Sequence, residues 1–427
     1  MQEEKGERSK NSLYLVVKSE GVNSEEGDSF SLLFTLFSSL IEWGLKIMID
    51  FKNVPTPSYV ISESLLRHNL EILSNLQKDT GVKILLAQKC FSMYYFYPLI
   101  EKYLSGTAAS GLFEAKLAHE HFHGENHVFS PAYKSEEIDE IASICEHVIF
   151  NSFRQVEKFS SIVKSYNHQV GLRINPEHST QTHAIYDPCS PTSRLGVRLN
   201  EFQEIAENHS ELIDIIDGIH MHTLCEQNSD ALEETVEVLI KNFGHWLNKF
   251  KWINLGGGHH ITREDYDIER LKRCIKNLQD KYNLTVYLEP GEAVAMNAGF
   301  LVSTVLEIHK PVNSVSNVIV DASAACHMPD VIEMPYRPDV IGDIPDGKYK
   351  YRFGSMTCLA GDVIGEYFFN EPLKEDDKIV FTDMAIYTMV KNNTFNGMPL
   401  PSIIVVDEKN NFKTIREFGY NDFKYRL

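Results

Sequence analysis

At 427 residues, with 43% hydrophobic and 24% charged side chains, the chain can fill a large core and a smaller domain without disulfide or metal staples. A formal net charge of −19 argues against a nucleic-acid binder, whose phosphates would be repelled; it would suit a small cationic ligand, but for the total charge the plainer reading is acidity that serves solubility. The seven cysteines are dispersed, odd in number and without a Cys-x-x-Cys pair, which fits free thiols in a reducing cytoplasm and no structural metal.

Residues 1–28 are polar and charged, and the apolar run from Phe30 to Ile41 is broken by Glu42 and Lys46. A bilayer span needs about 20 apolar residues, and no basic start or small-residue cleavage site marks a secretory signal. Coherent patterning begins at Met48-Ile49-Asp50, so residues 1–47 read as an extension, either an upstream start or a dispensable segment. After Pro57-Ser58-Tyr59-Val60-Ile61, the spacing of Leu65, Leu66, Leu70, Ile72 and Leu73 predicts a helix over 63–78. Eight β-rich runs follow, at 83–88, 106–110, 127–130, 147–151, 169–175, 218–224, 252–256 and 285–289, mostly at helix-sized intervals. The longest gap, 176–217, begins in a polar loop that runs from Asn175 to Ser193. Eight βα repeats within about 250 residues predict an α/β fold, a (β/α)8 barrel of the TIM type, over residues 48–300. After Ala293 the runs at 301–308, 318–322, 349–353, 378–382 and 402–406 have few helix-sized insertions. They predict a separate, largely antiparallel β domain over 301–427.

Barrel chemistry sits at the C-terminal ends of the strands. Those ends carry Lys89, Ser110, Arg173 with Asn175, His220 with His222, Gly256-Gly257-Gly258 and Glu289-Pro290-Gly291. A lysine after Ile84-Leu85-Leu86-Ala87-Gln88 is either an interior amine with a use or a side chain leaving for solvent. The glycine triplet suits close backbone approach to a phosphate, or is merely a flexible turn. His220-Met221-His222 also has the spacing of a metal pair, with Asp321 or His259 completing a shell. That reading leaves Lys89 and the glycines without roles.

Leu86-Ala87-Gln88-Lys89, Ala108-Ala109-Ser110 with Glu114, His220, the glycine triplet and Glu289-Pro290-Gly291 follow one another in an order that resembles the ornithine-decarboxylase-like enzymes of the alanine racemase fold. Gly354-Ser355-Met356-Thr357-Cys358 and Ala385-Ile386-Tyr387 extend the resemblance over roughly residues 54–427. It implies a pyridoxal 5′-phosphate decarboxylase in which Lys89 carries the cofactor, His220 stacks on its ring and Glu289 pairs with the ring nitrogen. Gly257, Gly258, Gly291 and Tyr387 would hold the phosphate, and Arg173 would line the cofactor side. Cys358 would return a proton across a homodimer interface; its alternative is a buried free thiol.

Two departures narrow the resemblance. Glu292 stands where an arginine usually follows Glu-Pro-Gly, and Leu359 stands where an acidic residue usually follows the cysteine. Both are similar to the branch that acts on carboxylated polyamines, as are Leu224-Cys225-Glu226, Asp321-Ala322-Ser323 and His327-Met328-Pro329-Asp330. The expected substrate is therefore a small cationic carboxy-polyamine, with Glu292, Asp321, Asp330 and Asp362 as candidate partners for its ammonium groups. Each of the four could equally be a surface or capping acid. Another ornithine- or diaminopimelate-type decarboxylase is the alternative. A non-catalytic pyridoxal-phosphate carrier is typically a single barrel, which the β domain argues against.

Overall fold

The computed structural model describes residues 49–181 and 187–427, so the extension expected over 1–47 lies outside the described residues. The chain forms two compact units: Glu63–Ala298 with Ala385–Val390, and the segment ending at Ser62 with Gly299–Met384 and Lys391–Leu427. Strand β1 (Ser58–Ser62) belongs to the second unit, whereas a boundary at residue 300 assigns it to the barrel. The reason is its pairing, described below.

In the first unit, a helix over Glu63–Thr80 buries Leu66, Leu70, Leu73 and Leu76 on one face, with Glu63 favourable in its first turn. Eight parallel strands then close a barrel: β2 (Lys83–Ala87), β3 (Gly106–Ala109), β4 (Glu125–Phe129), β5 (His147–Phe150), β6 (Gln169–Arg173), β7 (Gly218–His220), β8 (Trp252–Asn254) and β9 (Thr285–Leu288). All eight expected runs are strands. The barrel is filled by side chains: Leu85, Ala108, Ile149, Trp252 and Tyr287 form one buried cluster. Trp252 fits because β6 and β7 carry Gly171 and Gly218 beside it; a Cβ at Gly218 would overlap its indole. Its Nε1 donates to Gln169 Oε1 at 2.7 Å, which satisfies the one polar atom of the ring.

Near the N-terminal ends of β4 and β5, Glu125, His127 and His147 lie within 4.8 Å of one another, with Lys83 paired to Glu125. The two imidazoles stack at 3.9 Å and 25°, and His127 Nε2 lies 3.0 Å from Glu125 Oε2. At this end of a barrel such packing reads as stability.

The second unit is a mainly antiparallel sheet. It comprises β1, β10 (Gly299–His309), β11 (Ser316–Val320), β12 (Tyr349–Ser355), β13 (Val363–Phe369), β14 (Lys378–Thr382), β15 (Ser402–Val406) and β16 (Phe412–Arg416). Their order is β13-β12-β11-β10-β1-β15-β16, with β14 also on β10. Strand β1 is buried along its whole length between antiparallel β10 and parallel β15, so it cannot serve the barrel. Two strands escape the sequence pattern. β13 starts straight after Gly361-Asp362, which reads as loop, and β16 is an exposed polar edge without alternation.

Candidate active site

The C-terminal ends of β6 to β9 gather a polar cluster on an apolar scaffold. Glu289, one residue past β9, has both oxygens held: Asn254 Nδ2 donates to Oε1 at 2.7 Å, and His220 Nε2 lies 3.2 Å from Oε2. Burial alone would push this carboxyl up, but the imidazole and the Asn254 donor outweigh it and hold Glu289 below the usual carboxylate range. Asn254 is itself fixed, because its Oδ1 accepts the Gly256 N–H at 2.8 Å. His220 is buried and stacks on Phe129 at 5.4 Å and 13°. Arg173, also buried, packs its guanidinium over the same Phe129 ring at 4.6 Å and donates to the His222 carbonyl at 3.1 Å. Burial draws Arg173 down to about 10, still charged at neutral pH.

Lys89 lies in the turn that ends β2 and is exposed, while Gln88 before it is fully buried and accepts from Tyr97 Oη at 2.9 Å. The lysine is thus not an interior cation; the strand stops at Ala87 and the turn delivers the amine to the rim. Its charge is nonetheless felt by His220, His222 and Glu114, which places it with the cluster. Glu114 in turn accepts the Ser110 N–H at 2.6 Å.

The glycines are demanded by space. Gly256 and Gly258 have φ of +74° and +84°, and a Cβ at Gly258 would strike the Leu224 carbonyl. A Cβ at Gly257 would strike the Glu289 carbonyl, and one at Gly291 would lie 2.5 Å from Cys90 Cβ. Gly257 donates its N–H to His222 Nδ1 at 3.0 Å, so that nitrogen is an acceptor and the ring proton sits on Nε2. Tyr387 belongs to this unit as well: its N–H donates to the Cys90 carbonyl at 3.0 Å, and its φ of 53° is a left-handed conformation rare for a bulky residue.

This geometry disfavours the metal pair. Strand β7 ends at His220, so His222 does not share its strand face. His220, His222 and His259 are engaged with Glu289, Gly257 and Tyr266.

The four candidate acids differ in availability. Glu292, which opens a short helix after Gly291, is 13% exposed and its Oε2 lies 2.8 Å from His260 Nε2. The other three lie in the sheet unit. Asp321 accepts the Thr304 N–H at 2.8 Å, and burial raises its carboxyl. Asp330 is ion-paired with Lys391. Asp362 is buried: its Oδ2 accepts from Ser323, Ser355 and Thr357 hydroxyls at 2.6–2.7 Å, and Oδ1 accepts the Ala325 N–H at 3.2 Å. Those donors knit the two ends of the loop that carries the exposed Cys358.

Asn254, Phe129 and His260 are the residues that a reading of strand ends misses. Asn254 is the last residue of β8, and in the sequence the glycine triplet two positions on is the stronger signal. An amine at the rim, a doubly held carboxylate, a buried cation and a glycine backbone form a donor set that fits a phosphorylated pyridine aldehyde.

A family model described as the pyridoxal-binding domain of pyridoxal-dependent decarboxylases matches residues 65–296, and the chain belongs to that family. Over 88% of its length, and 99% of the relative's, it is 43% identical to carboxynorspermidine/carboxyspermidine decarboxylase of Campylobacter jejuni. It is 39% identical to carboxyaminopropylagmatine decarboxylase of Synechocystis, over 88% of this chain and 96% of that one. The crystal structure of carboxynorspermidine decarboxylase from Campylobacter jejuni, complexed with norspermidine, matches with a TM-score of 0.80 at 42% identity, covering 88% of this chain and all of that one. Diaminopimelate decarboxylase from Helicobacter pylori, complexed with L-lysine, shares the fold at a TM-score of 0.77 and 17% identity, over 88% and 98% of the two chains.

Proposed function

We propose that the protein is a pyridoxal 5′-phosphate-dependent carboxy-lyase of polyamine biosynthesis, converting carboxynorspermidine and carboxyspermidine to norspermidine and spermidine. The observation that carries the reading is Glu289, ionised and gripped at both oxygens by Asn254 and His220. Bound there, the cofactor would supply an electron sink for the pair left when the Cα–carboxylate bond breaks. Glu289 would keep a proton on the ring nitrogen, and its fixed geometry means no reorganisation is needed to do so. Lys89 would bind the aldehyde carbon, and His220 would orient the ring. Gly257, Gly258 and Gly291 would let the backbone approach the phosphate, with Tyr387 beside them and Arg173 lining the same side. Glu292 would take an ammonium group of the substrate's distal arm, with the other three more distant in role: Asp362 has both oxygens engaged, Asp330 is ion-paired with Lys391, and Asp321 accepts the Thr304 N–H.

Cys358 would deliver the proton to the carbon that lost CO2. It is exposed and flanked by Met356 and Leu359, themselves 52% and 44% exposed, an apolar surface that suits cover by a second copy. A cytoplasmic homodimer with shared sites follows from this reading; among the described residues no helix is long and apolar enough to cross a membrane.

The test is a competition of carboxynorspermidine, carboxyspermidine and carboxyaminopropylagmatine against ornithine and meso-diaminopimelate. One methylene is worth about 1–3 kcal/mol in a typical pocket, so the first two should both be turned over. Equal turnover of ornithine or meso-diaminopimelate overturns the polyamine assignment.

A further inference from the structure

Glu292 does not stand alone. His260, two residues past the glycine triplet, presents Nε2 to Glu292 Oε2 at 2.8 Å, and Arg263 Nη1 lies 3.2 Å from the opposite ring nitrogen, Nδ1. A guanidinium has only donors. Nδ1 must therefore accept, the ring proton sits on Nε2, and His260 donates to Glu292. Arg263 is fixed in turn, because Nη2 donates to Asn228 Oδ1 at 2.8 Å and Nε to Asp265 Oδ1 at 2.6 Å. Among the described residues Glu292 Oε1 takes no hydrogen bond. The relay therefore pins one carboxylate oxygen and leaves the other, with the charge, for a ligand.

We propose that Arg263 is a specificity-determining positioning residue: through the His260 tautomer it sets the carboxylate of Glu292 to receive the distal ammonium group of a carboxy-polyamine. The arrangement uses a cation without placing it beside the substrate, since the imidazole stands between guanidinium and carboxylate. If Arg263 were removed, the His260 ring could flip or place its proton on Nδ1, and Glu292 would lose its orienting donor. The proposal rests on the reading of Glu292 as a substrate contact.

The test uses the cofactor-loaded, full-length enzyme and compares Arg263→Gln, Arg263→Lys and Glu292→Gln. With Arg263→Gln, the KM for carboxynorspermidine should rise about tenfold, the order expected for loss of a charge-assisted hydrogen bond, while kcat changes less than about twofold. Inhibition by norspermidine should weaken equally, and inhibition by 1,3-diaminopropane, which lacks the distal amine, should not change. Arg263→Lys keeps a donor towards Nδ1 and should recover most of the loss. Nitrogen-15 spectra, with His260 assigned by difference from His260→Asn, should show the Nε2–H tautomer in the wild type and its loss in Arg263→Gln. If Glu292→Gln raises KM but Arg263→Gln does not, or if the His260 tautomer survives Arg263→Gln, the proposal falls and the Glu292 reading stands. If Glu292→Gln also leaves KM unchanged, the Glu292 reading itself falls. Should Arg263→Gln fail to fold, an unaltered KM in His260→Asn overturns the relay by the same logic.

Discussion

Asp362 is a carboxylate used up by the protein. Burial pushes its carboxyl up, but three hydroxyls and a backbone amide more than reverse this and hold it below the ordinary aspartate value. A depressed carboxyl adds stability that is fully present above the unfolded value, about 3.9, and is lost as pH falls through the lower folded value. Asp362→Asn should therefore cost on the order of 1–3 kcal/mol in urea unfolding at neutral pH, with the gap to wild type closing below pH of about 4. A gap that stays constant into acid contradicts this account of Asp362. Lys89 has the opposite character, an exposed residue at the barrel rim. Borohydride should fix pyridoxal phosphate to Lys89 in a peptide map, and Lys89→Ala should abolish turnover while the barrel still unfolds cooperatively. Label on another lysine ends the assignment. Lys89, His220 and Glu289 were legible because each closes a strand in a characteristic order; Asn254 and His260 were not, because their value lies in which carboxylate they hold, and that is set by neighbouring strands.

The loop from Gly256 to Gly258 works through what it lacks. Gly258 combines a left-handed backbone with a carbonyl in the space of a Cβ, so Gly258→Ala should destabilise by about 2–4 kcal/mol, from strain and overlap together. Cofactor affinity should fall with it, measured by equilibrium titration of the apoenzyme with pyridoxal phosphate. Full cofactor affinity at unchanged stability would show that the loop relaxes freely. Most barrel strands were readable from sequence because they are short β-rich runs separated by helix-length polar periodicity. The sheet was less so. β16 has no buried face to impose alternation, and β1 sits far in sequence from both of its neighbours, so nothing local marks it as part of the sheet.

At the scale of the molecule, the proposed proton delivery by Cys358 across a homodimer interface would need two chains for each complete site. Mixing inactive Lys89→Ala with inactive Cys358→Ala should then restore up to about a quarter of wild-type activity, since half of randomly mixed two-fold dimers are hybrids with one intact site of two. Confirmed subunit exchange without recovery would place each site within one chain. The order of the chain carries a different consequence, for synthesis. Strand β1 emerges early, but its neighbour β10 follows about 240 residues later and β15 about 340 residues later. At about 5–20 residues per second, that fully buried strand waits roughly 10–50 s for its first partner. The barrel, too, receives Ala385–Val390 only after most of the sheet has been made. A nascent chain of this protein therefore presents an unpaired β edge to the cell for most of its translation, and its yield should depend on holdase chaperones more than the stability of the finished enzyme would suggest.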